Sequence, residues 1–352
     1  MINLLKLKNI LYLIIFIVTL SQFVKFYSFY EEYSAWQYAD WLINYQGGFV
    51  RRGLIGEILF KIYSFTSIRL DYLVLILLYL LFSISFLTLI KSVKYIKNSF
   101  IDLMIFLSPG FFIYPFMNSE VIGRKDVLLV SIIGLFTFYY EKINRNFQFF
   151  VFIILIFLLS LSHTGFIFYT QYLIFFYFLF NYSKNRQVKK YQFMIIIFSI
   201  FILLILTFIF KGTNSEVLEI CNSIKNFISE NCGKSDQISW LAKDTSDYLS
   251  SKFSNGWGYF LNNFFVYLIS LIWVYFFLCL KIYNSSFINS FKKFNHINPL
   301  LIFTILFLIT SPVFILGIDW GRYIYLSYSC SFFIYIFCLR KRLFIFKKKF
   351  VN

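Results

Sequence analysis

The residues able to do chemistry in this 352-residue chain fall in four short stretches. The first reads EEYSAWQYADWLINYQGGFVRRGLIGE and holds Glu31, Glu32, Asp40, Arg51, Arg52 and Glu57. The second, NSEVIGRKD, holds Glu120, Arg124, Lys125 and Asp126; SHTG is built around His163, and IDWGRY carries Asp319 and Arg322. Arginine clusters bind phosphate and diphosphate through planar, permanently charged forks. Carboxylates and a histidine beside them could move a proton. The glycines around Arg51 and Arg52 could let backbone approach a ligand and add N–H donors. The candidate ligand-binding residues are therefore Arg51, Arg52, Arg124, Lys125, Asp319 and Arg322, and the candidate catalytic residues are His163, Glu57, Asp126 and Asp40.

Each has a plainer reading. Arg51 and Arg52 could snorkel at a membrane interface. Arg322 could simply pair with Asp319 three residues away, and His163 could cap a helix. No metal is expected, because neither His163 nor the acids show a ligand spacing such as HExxH and no cysteine pair sits beside them. No P-loop or dinucleotide motif appears, so no cofactor is implied.

These residues must be positioned by elements of a membrane protein. Hydrophobic residues make up 60% of the chain, aromatic residues 24% and charged residues only 14%, a composition outside the soluble range that also excludes collagenous, disordered and nucleic-acid-binding classes. The expected fold class is all-α, a polytopic integral membrane domain spanning residues 1–352. About ten transmembrane helices fit the apolar stretches Ile10–Tyr27, Tyr72–Ile90, Phe100–Phe116, Val127–Tyr140, Phe147–Leu161, Gly165–Phe180, Phe193–Phe210, Trp257–Leu280, Leu300–Leu316 and Tyr323–Leu339. Several approach the roughly 20 residues that cross about 30 Å of hydrocarbon. Val127–Tyr140, at 14 residues, is roughly 21 Å long as a helix and draws its charged flank below the surface.

With the N-terminus cytoplasmic, ten spans return the C-terminus to the cytoplasm. Inner loops and tails then hold 20 of the 33 Lys and Arg against two acids, Asp102 and Glu141, as the positive-inside rule requires. The net charge of +17 thus marks orientation and implies no nucleic-acid partner. The first apolar stretch has no cleavage site after it and is expected to act as an uncleaved anchor. Two outer segments exceed a turn, residues 28–71 and 211–256. The second places Val217, Ile220, Ile224 and Phe227 at helical spacing, which predicts an amphipathic helix on the bilayer surface. It also holds Cys221 and Cys232, about 16 Å apart on one continuous helix, so either the helix ends before Cys232 and the chain folds back or the thiols are not bridged. All four chemical stretches fall on the outer side, which predicts an outward-facing cavity ringed by Arg, His and carboxylates.

On Gly47-Gly48-Phe49-Val50-Arg51-Arg52-Gly53-Leu54, Gly123-Arg124-Lys125-Asp126 and Asp319-Trp320-Gly321-Arg322, and in its span number and enlarged outer loops, the chain resembles the O-antigen polymerases of flippase-dependent surface-polysaccharide assembly. The resemblance implies transfer of a growing glycan from undecaprenyl diphosphate onto a lipid-linked repeat unit, at the periplasmic face of a bacterial inner membrane. It implies that Arg51, Arg52, Arg124 and Arg322 hold the diphosphate, with membrane lipid and a chain-length regulator protein as partners. The base does not carry over from the resemblance. A second family, the multi-span type C glycosyltransferases that use polyprenyl-phosphate sugars, places a catalytic acid in the first outer loop, where Glu31, Glu32 and Asp40 stand. A transporter of lipid-linked glycans is a third possibility, although polar residues cluster at one face and no inverted repeat is seen.

Overall fold

The computed structural model describes residues 4–31, 35–96, 99–118, 121–227, 238–243, 250, 256–287, 298–317 and 319–346. Glu32, Glu120, Cys232 and His296 lie outside these. The described helices are α1 (Leu4–Glu31), α2 (Ala35–Leu42), α3 (Leu54–Thr66), α4 (Leu70–Val93), α5 (Phe100–Phe106), α6 (Tyr114–Met117) and α7 (Asp126–Tyr139). They continue as α8 (Arg145–Ser162), α9 (Thr170–Ser183), α10 (Lys190–Ile209), α11 (Asn214–Ile224), α12 (Gly256–Tyr283), α13 (Pro299–Leu316) and α14 (Trp320–Arg340). Six of them, α1, α4, α8, α10, α12 and α14, are long and apolar enough to cross a membrane. The protein is a helical, membrane-embedded bundle.

The least and most buried of the six long helices stand at opposite extremes of hydropathy. The α10 span has a mean hydropathy of 2.8 and is 17% buried, whereas α14 has a mean hydropathy of 1.2 and is 89% buried. A helix facing lipid must be apolar outward, while one enclosed by protein can carry Ser327, Ser329 and Ser331. Helix α14 is thus the central element, and it packs on α7, which is buried along most of its length. At 14 residues α7 is not among the six long apolar helices.

Contacts sort the helix ends into two groups. The starts of α7 and α14 meet the end of α8 through Asp126, Arg322 and His163. At the opposite end Glu141, just after α7, meets Arg340 of α14 at 3.0 Å, Lys341 and Lys184. There too Lys281 of α12 lies 3.3 Å from Asp102 of α5, which also accepts from the Tyr335 hydroxyl of α14 at 3.2 Å.

Four local features depart from the sequence expectation. The stretch Phe100–Phe116 is not one helix. It breaks between α5 and α6 at Ser108-Pro109-Gly110, where proline lacks the N–H that would continue the ladder. The break nests on α12: Ser108 Oγ donates to Val274 O at 3.2 Å, and a Cβ on Gly110 would come within 2.5 Å of the Val274 side chain. The stretch Gly165–Phe180 begins as a 3-10 turn, Thr164–Tyr169, before α9. Strands β1 (Ser285–Phe287) and β2 (Phe344–Phe346) pair antiparallel, with Ser286 opposite Ile345. These strands follow α12 and α14, whose ends lie side by side, so hydropathy carried no signal for them.

Helix α11 is amphipathic as its spacing predicts, but its apolar face is covered by protein. Val217, Ile220, Cys221 and Ile224 are buried, and Phe227 packs edge-on against Tyr63 at 5.2 Å. A capping box between Thr213 and Glu216 starts the helix. Cys221 is disulfide-bonded, whereas Cys279, Cys330 and Cys338 are free thiols within the helices.

Candidate functional site

The site is built around one turn. Gly123 has φ +80, a left-handed conformation open to glycine, and it feeds Arg124, Lys125 and Asp126 into the start of α7. Trp41 Nε1 donates to Gly123 O at 2.5 Å, which fastens α2 to the turn. That places Asp40, next to Trp41 on α2, 3.7 Å from Lys125 Nζ and 3.9 Å from Arg52 Nη1. Lys125 is wholly buried, and its ammonium also donates to Ser162 O at 2.9 Å and Arg52 O at 3.3 Å. One side chain thereby joins the loop before α3, the turn before α7 and the end of α8.

The second half of the site comes from α14. Arg322, in its first turn, donates through Nε to Asp126 Oδ2 at 2.5 Å. Its Nη1 lies 3.5 Å from Asp319 Oδ2 and its Nη2 lies 3.2 Å from His163 Nε2. Arg124 Nη1 donates to the same Asp319 oxygen at 2.7 Å. His163 follows the last turn of α8 in an extended conformation, and its Nδ1 accepts from Gly165 N at 3.1 Å, capping the 3-10 turn. The cap and the Asp319–Arg322 pair expected from simple spacing are both present, within a larger network.

Asp40, Arg52, Arg124, Lys125, Asp126, His163, Asp319 and Arg322 therefore stand together at one end of the bundle. Most of these side chains are buried, but the Asp319 side chain is 38% exposed and His163 is half-buried. Those two residues form the mouth of the cluster. Four cations face three carboxylates and one histidine, so the network carries a surplus of positive charge when the imidazole is neutral.

The electrostatics assign distinct states to the members. Burial would raise the Asp40 pKa, but Lys125 and then Arg52 outweigh it and hold the carboxyl down at about 2. Burial lowers Lys125 to about 8 despite its pairing with Asp40. Burial and then the Arg322 guanidinium push the His163 imidazole well below the ordinary histidine range, so it is neutral at pH 7. Asp319 resists burial through Arg124 and then Arg322 and stays below the usual carboxylate range. Asp126 uses Oδ2 for Arg322, while its buried Oδ1 accepts no hydrogen bond among the described residues.

Two candidates named from sequence have other settings. Glu57, on the first turn of α3, accepts from Tyr45 N at 3.0 Å and Gln46 Nε2 at 3.2 Å, and its second oxygen faces Lys61 at 3.8 Å. It closes the turn over residues 45–48. Arg51 donates its backbone N–H to Phe210 O at 2.8 Å, which ties the loop to the end of α10. The glycines before it serve protein packing: a Cβ on Gly47 would meet Glu216 O at 2.5 Å, and Gly48, at φ +128, would meet Glu216 Oε1 at 2.7 Å. They allow close approach to α11 in place of a ligand. Two contributors escaped the sequence reading. Ser162 acts through its carbonyl, which residue type does not reveal. Trp41 was detectable only as the apolar neighbour of Asp40.

No protein-family model, no curated protein and no solved structure matches this chain.

Proposed function

We propose that this protein is a membrane-embedded glycosyltransferase that polymerises lipid-linked glycan repeat units, taking a growing glycan from undecaprenyl diphosphate. The observation that carries the reading is the convergence of Arg52, Arg124, Lys125 and Arg322 with Asp40, Asp126 and His163 at one end of a lipid-embedded bundle. Permanently charged forks at that depth suit a diphosphate whose lipid tail lies in the bilayer.

In the proposed reaction an acceptor sugar hydroxyl attacks the anomeric carbon of the donor glycan. The bond from that carbon to the diphosphate oxygen breaks, and the diphosphate leaves with the electron pair. Arg124 and Arg322, which meet at the exposed Asp319, receive the developing negative charge. The hydroxyl proton passes to a base, and Asp126, whose Oδ1 accepts no hydrogen bond among the described residues, is the assigned acceptor. Asp40 Oδ1 also accepts no hydrogen bond among the described residues, but that oxygen faces Lys125 at 3.7 Å and Arg52 at 3.9 Å, whereas Asp126 meets Arg322 through its other oxygen, Oδ2. Asp40 serves to hold Lys125 and Arg52. That commitment argues against the type C glycosyltransferase reading, which needs an acid in the first outer segment to act directly.

The reading makes ten passes of the membrane, with the site end outside and both termini in the cytoplasm. Two observations support that sidedness. Cys221 is disulfide-bonded, on a helix packed against the loop that carries Arg52, and disulfides persist in oxidising compartments. The opposite end gathers Lys91, Lys142, Lys184, Lys281, Arg340 and Lys341, which suits the cytoplasmic side. In this proposal the membrane is a bacterial inner membrane, as the resemblance to O-antigen polymerases implies, and the site faces the periplasm.

The test is reconstitution. Purified protein in liposomes, supplied with an undecaprenyl-diphosphate-linked repeat unit, is expected to yield oligomers together with one freed undecaprenyl diphosphate per linkage. Conversion of a polyprenyl-monophosphate sugar in place of the diphosphate substrate would replace this reading with the type C one.

A further inference from the structure

His163 stands between two groups that both donate. Gly165 N–H, 3.1 Å from Nδ1, has only a proton to offer, so Nδ1 must be the bare nitrogen of the ring. A neutral imidazole then carries its proton on Nε2. Nε2 lies 3.2 Å from Nη2 of Arg322, and a guanidinium nitrogen never accepts. An N–H therefore faces an N–H with no acceptor between them. Moving the proton to Nδ1 would give Arg322 an acceptor, but it would set Nδ1–H against Gly165 N–H and uncap the 3-10 turn. Protonating both nitrogens makes both contacts worse. Among the described residues, no neutral or protonated imidazole satisfies both contacts at once.

An acceptor supplied by a ligand would satisfy both donors. Its sign follows from the neighbours, because Arg322, Arg52 and Lys125 outweigh Asp40 around the ring. The other guanidinium nitrogens of Arg322 are occupied by Asp126 and Asp319, so Nη2 is the nitrogen turned toward the imidazole. We infer that His163 Nε2–H and Arg322 Nη2–H form a two-donor fork for the non-bridging oxygens of a phosphate or diphosphate group. The inference rests on the reading of this cluster as an anion site and deepens it: His163 donates to the ligand and does not act as the base. Two donors about 3 Å apart match one shared oxygen, or two oxygens of one phosphoryl group. His163 stands half-buried at the mouth of the cluster.

The chain has only two histidines, His163 and His296, so the tautomer can be read directly. In the His296→Gln variant, labelled with 15N-histidine and held in lipid nanodiscs, 15N NMR at pH 7 is expected to show a protonated Nε2 and a bare Nδ1. Titration with inorganic pyrophosphate should move the Nε2–H signals saturably and leave Nδ1 bare, and His163→Phe should weaken pyrophosphate affinity roughly 10- to 100-fold. Undecaprenyl diphosphate in the nanodisc should produce the same shift, at lower concentration if the bilayer is the source of the ligand. A proton on Nδ1, or on both nitrogens, overturns the fork. The expected tautomer with no response to either diphosphate overturns the anion as its occupant.

These spectra do not depend on polymerisation. A second readout does: His163→Gln keeps an amide donor near the Nε2 position and should retain more polymer synthesis than His163→Asn, whose amide falls near Nδ1. Equal loss in both variants contradicts a donor role, whereas absence of polymer in the wild type contradicts the function proposed above and leaves the spectroscopic test standing.

Discussion

Arg322 Nε lies 2.5 Å from Asp126 Oδ2, and 196 positions of chain separate the two residues. Both are almost entirely buried, each at the start of one of the two central helices. This pair aligns α7 with α14 and presents the rest of the guanidinium to Asp319 and His163.

Breaking the pair should be costly. Arg322→Met or Asp126→Leu alone strands a buried charge, a loss of roughly 3–5 kcal/mol, and should lower the melting temperature of the detergent-solubilised protein. The double variant removes both charges and should recover most of that stability. It should not recover transfer activity, because the site loses both a diphosphate cation and the assigned base. Thermal unfolding read beside product formation separates the two effects, and activity in the double variant would contradict the assignment.

The pH dependence has a definite sign. Lys125, lowered to about 8, loses its charge as pH rises through that value. Asp40, held near 2, stays ionised throughout the accessible range. Diphosphate affinity should therefore fall on the alkaline side, above about pH 8, with no matching acid limb from Asp40. For stability the sign reverses. A lysine whose pKa is depressed on folding is relieved when neutral, so its contribution is fully present above its ordinary pKa and is lost as pH falls through about 8. Affinity and melting temperature measured from pH 6 to 10 should move in opposite directions across this window.

Glu57→Gln tests the placement of a residue that its type alone made a catalytic candidate. Gln can still accept from Tyr45 N–H, so the turn over residues 45–48 should loosen by about 1 kcal/mol while activity stays within a few-fold of wild type. Loss of activity with a normal melting temperature would return Glu57 to the site.

Much of the site was legible because charged residues in an apolar chain are expensive and few. Asp40, Arg52, the Arg124-Lys125-Asp126 run, His163, Asp319 and Arg322 could be collected by residue type and by their place between the apolar stretches before any contact was known. What residue type cannot specify is partnership. Lys125 stands beside Arg124 in sequence, yet it turns inward to the Ser162 carbonyl while Arg124 reaches Asp319. Glu57 and the glycines at positions 47 and 48 carried the same marks as site residues, yet they are spent on the turn and on α11, a distinction made only by tertiary packing. Long apolar stretches marked the helices well. The break at Pro109 and the central place of α14 depended on which neighbours cover which face, and hydropathy averages that away.

The most direct test of the central claim is the lipopolysaccharide ladder of a host strain in which the encoding gene is deleted and then restored. The ladder should collapse to a single core-plus-one-unit band on deletion, because repeat units are still made, moved across the membrane and ligated, and it should return with the wild-type gene but not with Arg322→Met. An unchanged ladder, or loss of even the one-unit band, would contradict a polymerase.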